Sequence, residues 1–342
     1  MKSIHRLLAR PVLRPYLLLA LVVIVFSVLL GAGNFLSMRS ASSIFQHFAT
    51  IGLVALGLGL TMLMREFDLS VAGMMGLGGC VAVLAGNDSA VLGVLAALCV
   101  GALGGLAQAA IMVWLRLGSV PVTLGGLLTF IGASYVITGN QTIPFENMEV
   151  AIAVNAPVLG FISLRALVVV VLFLVAASII GYTRVGRDLV AAGSNRQGAV
   201  VAGVNPHAIQ LGVFACSGAL AALAGAMLSF GLLSASPSGA VADILVPAVA
   251  AAILGGVSLS GGVGRPLGIA AGVLILCVLR TGLTSLGVQP YVHDVATGAI
   301  LLAVAIADGP HLAMRLYQLG CGRKAQWLHH QGDLRAEPND FR

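Results

Sequence analysis

The chain has 342 residues, of which 59% are hydrophobic and 9% charged, with a formal net charge of +6. Globular proteins carry about 25% charged residues, so this chain lacks the polar surface that a soluble fold of its length must present. Composition excludes a soluble domain, gives no reason to expect a nucleic-acid partner, and demands an all-α, polytopic integral membrane protein surrounded by lipid.

Apolar runs of about 17–25 residues have the length of a membrane-spanning helix. About ten such transmembrane helices are expected, over 16–36, 44–64, 68–86, 90–115, 120–139, 163–182, 207–233, 241–258, 266–287 and 291–308. Short alternating strands, the mark of a β-barrel, are not visible. The 44 glycines suit helices that pack closely in lipid. The first run follows Arg6, Arg10 and Arg14 like a signal peptide, but with nine runs downstream it is expected to stay as the first helix. Residues 1–308 form the expected transmembrane domain, and 309–342 a polar cytoplasmic tail.

With the N-terminus in the cytoplasm, 15 of the 18 lysines and arginines fall in inner segments. Arg39 and Arg165 are left outside and Arg280 within a span. That is a strong positive-inside bias, and it places both termini in the cytoplasm. Between the second and third spans, "MREFDLSV" (Met64–Val71) sets Arg65, Glu66 and Asp68 into a long apolar stretch. Either it is a tight turn near the cytoplasmic face, with Asp68 capping the third span, or a helix break partly within the bilayer that lines a cavity.

Two connections are long. The outer one, Gly139–Arg165, carries Glu146 and Glu149 and offers a surface to an external partner. The inner one, about 183–208, is basic and reads as a cytoplasmic elbow of two short helices broken at Gly193. Gly203 suits a C′ position, and Asn205-Pro206 supplies an N-cap and first residue for the next span. A weak echo of "LGSVP" (Leu117–Pro121) in "LGVQP" (Leu286–Pro290) fits an inverted repeat.

Chemistry that would power transport is missing. Lys2 and Lys324 are the only lysines and neither follows a glycine, so there is no phosphate-binding Gly-Lys-Ser/Thr loop. His47, His207 and His293 are isolated in sequence, and the five cysteines have no metal-ligand or disulfide spacing. Asp68, Asp243 and Asp294 all lie near span ends, where a carboxylate reaches water or a helix terminus. No catalytic group or metal site is expected; ion coupling within the chain is less favoured than energy arriving through another subunit docked on the elbow.

Four stretches resemble a known family. "ALGLGLTMLMREFDLSVAGMMGLGG" (Ala55–Gly79), "VPVTLGG" (Val120–Gly126), "GRDLVAAGSNRQGAVVAGVN" (Gly186–Asn205) and "AVAAAILGGVSLSGGVGRPLG" (Ala248–Gly268) run in the order of the membrane permeases of bacterial ABC importers for ribose and related monosaccharides. That group has relatives handling autoinducer-2 and, more distantly, branched-chain amino acids. The resemblance implies a pair of permease subunits, identical or paralogous, a cytoplasmic ATPase that holds ATP and Mg, and a periplasmic substrate-binding protein. Carried over by position, Arg187, Ala192, Gly193, Asn195 and Gly203 are the expected ATPase-coupling residues of the elbow. Asp68, Ser70, Gln108, Thr123 and Thr129 are the polar candidates for lining the substrate path. The chain departs from the family at Arg65-Glu66-Phe67, where relatives have Gly-Gly-Ile, at Ala72, and at Gln108, where they show Asn-Gly. Import of a monosaccharide-type sugar is the leading expectation. An ABC permease for branched-chain amino acids and a self-contained secondary carrier are the alternatives.

Overall fold

In the computed structural model, residues 13–158, 160–237, 241–303 and 306 are described, and the side chains of Ala32, Asn34 and 241–243 are not. The polar tail, Cys321 and the side chain of Asp243 therefore lie outside the described residues. The chain divides into a unit up to His293 and a second from Asp294 onward. Of the second, 294–303 and 306 are helical, continuing a helical run that begins at 290 where the tenth span is expected.

The first unit is helical almost throughout. In chain order its helices are α1 (Arg14–Leu30), α2 (Ala32–Phe35), α3 (Met38–Leu63), α4 (Val71–Gly86), α5 (Ala90–Leu115), α6 (Ser119–Thr138), α7 (Met148–Asn155), α8 (Leu164–Tyr182), α9 (Arg184–Ser194), α10 (Arg196–Val201), α11 (Pro206–Leu232), α12 (Val241–Leu254) and α13 (Pro266–Ser285). Six of them, α3, α5, α6, α8, α11 and α13, are long and apolar enough to cross a membrane. The apolar helices α1, α4 and α12 coincide with expected spans but are shorter. The first expected span ends early: Gly31, with φ +78, breaks it, and α3 starts at Met38, capped by Ser37, rather than at 44. The third begins at Val71 rather than 68, because residues 64–70 are an irregular connection.

Helices α3, α4 and α11 form the interior, and small residues set how closely they pack. A Cβ on Gly225 would collide with the Met75 carbonyl, and Gly101 and Gly218 each present a carbonyl to the other's Cα. Lipid supplies no hydrophobic drive between helices, so backbone proximity and van der Waals contact hold them together. The faces of α5, α6 and α8 turned away from this core carry exposed Leu103, Trp114, Val136 and Val171, as a lipid-facing surface should.

Helices α5 and α11 run antiparallel, with Gly101 meeting Gly218 and Gly105 meeting Phe214, and the connections gather at two distinct ends of the unit. At one end the long 139–165 connection is ordered by pairing. Its β1 (Ile143–Pro144) runs antiparallel to β2 (Ser234–Ala235), and Phe145 stacks on Phe230 with centroids 4.5 Å apart. At the other end lie the elbow, the α3–α4 connection and the 255–265 loop.

Candidate functional site

The α3–α4 connection is built around a buried carboxylate. Asp68, 1% exposed, accepts from the Ser70 backbone N–H (3.1 Å) and the Ser70 hydroxyl (2.6 Å) through Oδ1, and from the Ser217 hydroxyl (2.7 Å) through Oδ2. The first two bonds make a side-chain turn at the start of α4, where a negative charge also suits the helix dipole. The third ties that start to the middle of α11. Gln108 Nε2 on α5 donates to Ser70 Oγ at 2.9 Å. Gly126, in the "VPVTLGG" stretch, leaves the space the Gln108 amide fills. Thr123, fully buried on α6, shares its hydroxyl between the Ser119 carbonyl of its own helix (2.9 Å) and the Phe67 carbonyl (3.1 Å). Ser119 Oγ accepts from the Phe67 N–H at 3.0 Å.

Of the five expected path-lining residues, the fold thus gathers four into one network that anchors the 64–70 connection to three helices. Thr129 is not part of it: it is exposed on α6 and donates to Gly125 of its own helix. The backbone of Phe67 and Ser70 is thereby paired with side chains, which is what lets non-helical chain be buried among helices.

Arg65 and Glu66 face the other way, toward the elbow. Arg65 has a left-handed backbone (φ +66), and its Nε donates to the Ser260 carbonyl in the 255–265 loop. Glu66 Oε1 accepts from Arg196 Nη1 (3.5 Å) and from Gln210 Nε2 (3.4 Å), while Gln210 Oε1 accepts from Arg196 Nη2 (3.0 Å). One carboxylate thereby joins the α3–α4 connection to α10 and α11. The departure from the family pattern is where the connection meets the elbow.

The elbow has the two expected helices, with one correction. The break falls at Asn195, not Gly193, which lies inside α9. Asn195 has an extended backbone (φ −152), and its side chain accepts from Gly198 N at 3.0 Å to cap α10, which a short polar residue does and glycine does not. Gly193 instead permits close packing. A Cβ there would overlap the Leu63 carbonyl, so only glycine lets α9 rest on the end of α3. The same Leu63 carbonyl accepts from Gly262 N at 2.8 Å. Ala192 is buried beside Gly193, and Arg187 is exposed. Gly203, at φ +82, ends α10 as expected: its N–H bonds to the Val200 carbonyl and that of Val204 to Ala199 (both 2.9 Å), the paired bonds of a Schellman motif. Asn205 then caps α11 through His207 N and Ala208 N.

Sequence reasoning missed Ser217, Glu66 as a junction, and Gln210. Ser217 and Gln210 had only their polarity within an apolar helix to mark them. Glu66 was marked by departure from the family pattern, though nothing local named its partners. Among the described residues no group of three or more His, Cys, Asp or Glu side chains is placed to hold a metal.

Comparison with known proteins agrees with this architecture. The family described as branched-chain amino acid transport system/permease component matches residues 40–305. The autoinducer 2 import system permease protein LsrC of Yersinia pseudotuberculosis serotype O:1b (strain IP 31758) is 32% identical over 280 residues, covering 81% of this chain and 79% of the relative. LsrC of Yersinia pseudotuberculosis serotype O:3 (strain YPIII) and of Yersinia pestis (strain Pestoides F) are each 31% identical over the same shares. No solved structure matches significantly. A multi-pass helical fold, an elbow seated on the core and a family match across most of its length lead to one conclusion: this chain belongs to the family of transport-system permease components.

Proposed function

We propose that the chain is the membrane-spanning permease of an ABC importer for a small sugar-like solute of the autoinducer-2 or monosaccharide type. In this reading it sits in the bacterial inner membrane with both termini in the cytoplasm. It pairs with a second permease subunit, receives solute from a periplasmic binding protein, and is driven by a cytoplasmic ATPase that binds ATP and Mg. The observation that carries the reading is the seating of α9 on the end of α3, with no side chain between Gly193 and the Leu63 carbonyl. A push on the elbow is then delivered to backbone rather than absorbed by flexible side chains, as energy arriving from outside the membrane requires. Arg187 is exposed to meet carboxylates of the ATPase, and Asn195 and Gly203 fix the shape of the surface it presents. Asp68, Ser70 and Gln108 hold the helix connection that the push displaces, and a weakly polar path opens beside them.

The relatives' names favour a sugar-like solute, and the family's description keeps branched-chain amino acids as the rival. The binding protein recovered by co-purification should be stabilised against heat by autoinducer-2 or a monosaccharide. Stabilisation by leucine and by no sugar overturns the choice of solute. Uptake that survives ATP depletion while a proton gradient is maintained overturns the ABC mechanism.

A further inference from the structure

The stretch "GGVSLSGGVGR" (Gly255–Arg265) joins α12 to α13. Within it Gly261 (φ +74) and Gly262 (φ +71) hold a left-handed backbone that other residues rarely adopt. Their bare Cα atoms face the elbow. A Cβ on Gly261 would meet the Gly193 carbonyl oxygen at 2.8 Å, and one on Gly262 would meet the Ser194 Cα at 2.8 Å. Gly262 N donates at 2.8 Å to the Leu63 carbonyl, the same carbonyl on which Gly193 rests. Arg65 adds a further tie, its Nε donating to the Ser260 carbonyl and its stem lying against Gly261. The ends of α3 and α9 and this loop thus meet backbone to backbone, although they come from distant parts of the chain.

The loop is braced from within. Ser258 N donates to the Val263 carbonyl (2.9 Å), Gly261 N to the Ser258 carbonyl (3.0 Å), and the Ser258 and Ser260 hydroxyls share a bond of 2.7 Å. The helices it joins are locked together as well. Gly255 and Gly268 each face the other's carbonyl, and Gly272 faces that of Ala251. Close approach of this kind is what holds a helix pair together in lipid. A displacement of the loop therefore passes into both helices instead of being lost in slack chain.

We propose that Gly261 and Gly262 are coupling residues outside the elbow: the 255–265 loop carries a displacement of α9 into the α12–α13 pair. The proposal rests on the importer reading above, in which the push on α9 comes from the ATPase. The Gly193 contact delivers that push to the end of α3, and the loop delivers it at the same moment to two helices much later in the chain. A side chain at Gly261 or Gly262 would hold α9 away from the loop and break this second path. Coupling between two sites is reciprocal, so the loop must respond to changes in the elbow and the elbow to changes in the loop.

Amide hydrogen exchange on the purified full-length chain tests the linkage without any partner. Gly193→Ala should speed exchange of residues 258–263 by about tenfold or more, and leave residues 143–155 at the opposite end unchanged. Gly262→Ala should speed exchange across α9 to a similar extent. Arg65→Gln removes the bond to the Ser260 carbonyl and adds no atom to the contact, so it serves if a glycine variant does not fold; it should speed exchange in the loop and, through it, in α9. Faster exchange confined to the substituted segment in every variant that folds overturns the proposal. A second readout uses the chain reconstituted with its ATPase and binding protein. There the ratio of solute imported to ATP hydrolysed should fall several-fold in Gly262→Ala, and an unchanged ratio overturns the proposal. A wild-type chain that binds no ATPase refutes the importer reading instead, and the exchange result then decides the linkage by itself.

Discussion

Removing the Asp68 carboxylate tests whether the α3–α4 connection is held as described. Asp68→Ala deprives the Ser70 N–H, the Ser70 hydroxyl and the Ser217 hydroxyl of their acceptor within a site that admits almost no water. Hydrogen bonds contribute about 0.5–1.5 kcal/mol each, and a buried donor left unpaired costs about 1–3 kcal/mol. The three bonds share one acceptor group and are not additive, so the loss should come to about 3–5 kcal/mol. Asp68→Asn keeps an oxygen for Ser70, and the Ser217 hydroxyl can turn to accept from the new amide, so it should cost about 1–2 kcal/mol. The protein supplies its own reporter: among the described residues Cys80 and Cys277 are fully buried, whereas Cys99 and Cys216 lie on the outer faces of spanning helices. A thiol-reactive fluorophore should therefore show a thermal transition as the buried pair opens, above the baseline of the remaining thiols. That midpoint should fall by on the order of 10 °C for Asp68→Ala and by a few degrees for Asp68→Asn. An Asp68→Ala midpoint equal to wild type would refute the idea that the carboxylate holds the connection.

Two further expectations concern the elbow. Gly193→Ala forces a methyl against the Leu63 carbonyl, an overpacking worth about 1–3 kcal/mol. The strain should lift α9 from the core and speed tryptic cleavage after Arg184, Arg187 and Arg196, and unchanged cleavage would show that the contact is not tight. Reversing Glu66→Arg or Arg196→Glu singly should cost about 1 kcal/mol or less each, because the Arg196 side chain is 45% exposed, and the double swap should recover most of it. A double-mutant cycle in thiol-dye midpoints measures the coupling; a value of zero would mean that the pair is incidental.

The helices are legible along the chain because lipid imposes a simple rule: a spanning segment must be continuous, apolar and long enough. All ten expected runs are helical over most of their length. The local punctuation of the elbow is legible too, at Gly203, Asn205 and Pro206, because caps depend on neighbours a few residues away. At Gly193 the sequence points correctly to close approach and wrongly to a helix break. A glycine within a helix and one ending it look alike until the surface it meets, the Leu63 carbonyl, is known.

What the sequence by itself determined is the membrane environment, the order of spans, and the membership implied by motifs running in register with a family. What only the tertiary structure decided is which polar residues meet. Asp68 finds Ser217 149 residues away, and Glu66 finds Arg196 and Gln210 130 and 144 residues away. Thr129, as polar as Thr123 and one helix face away, finds only its own backbone. Hydrophobicity is a property each segment carries with it, so it is readable locally. The partner of a buried charge is set by how helices distant in sequence rotate against one another, and no local pattern records that rotation.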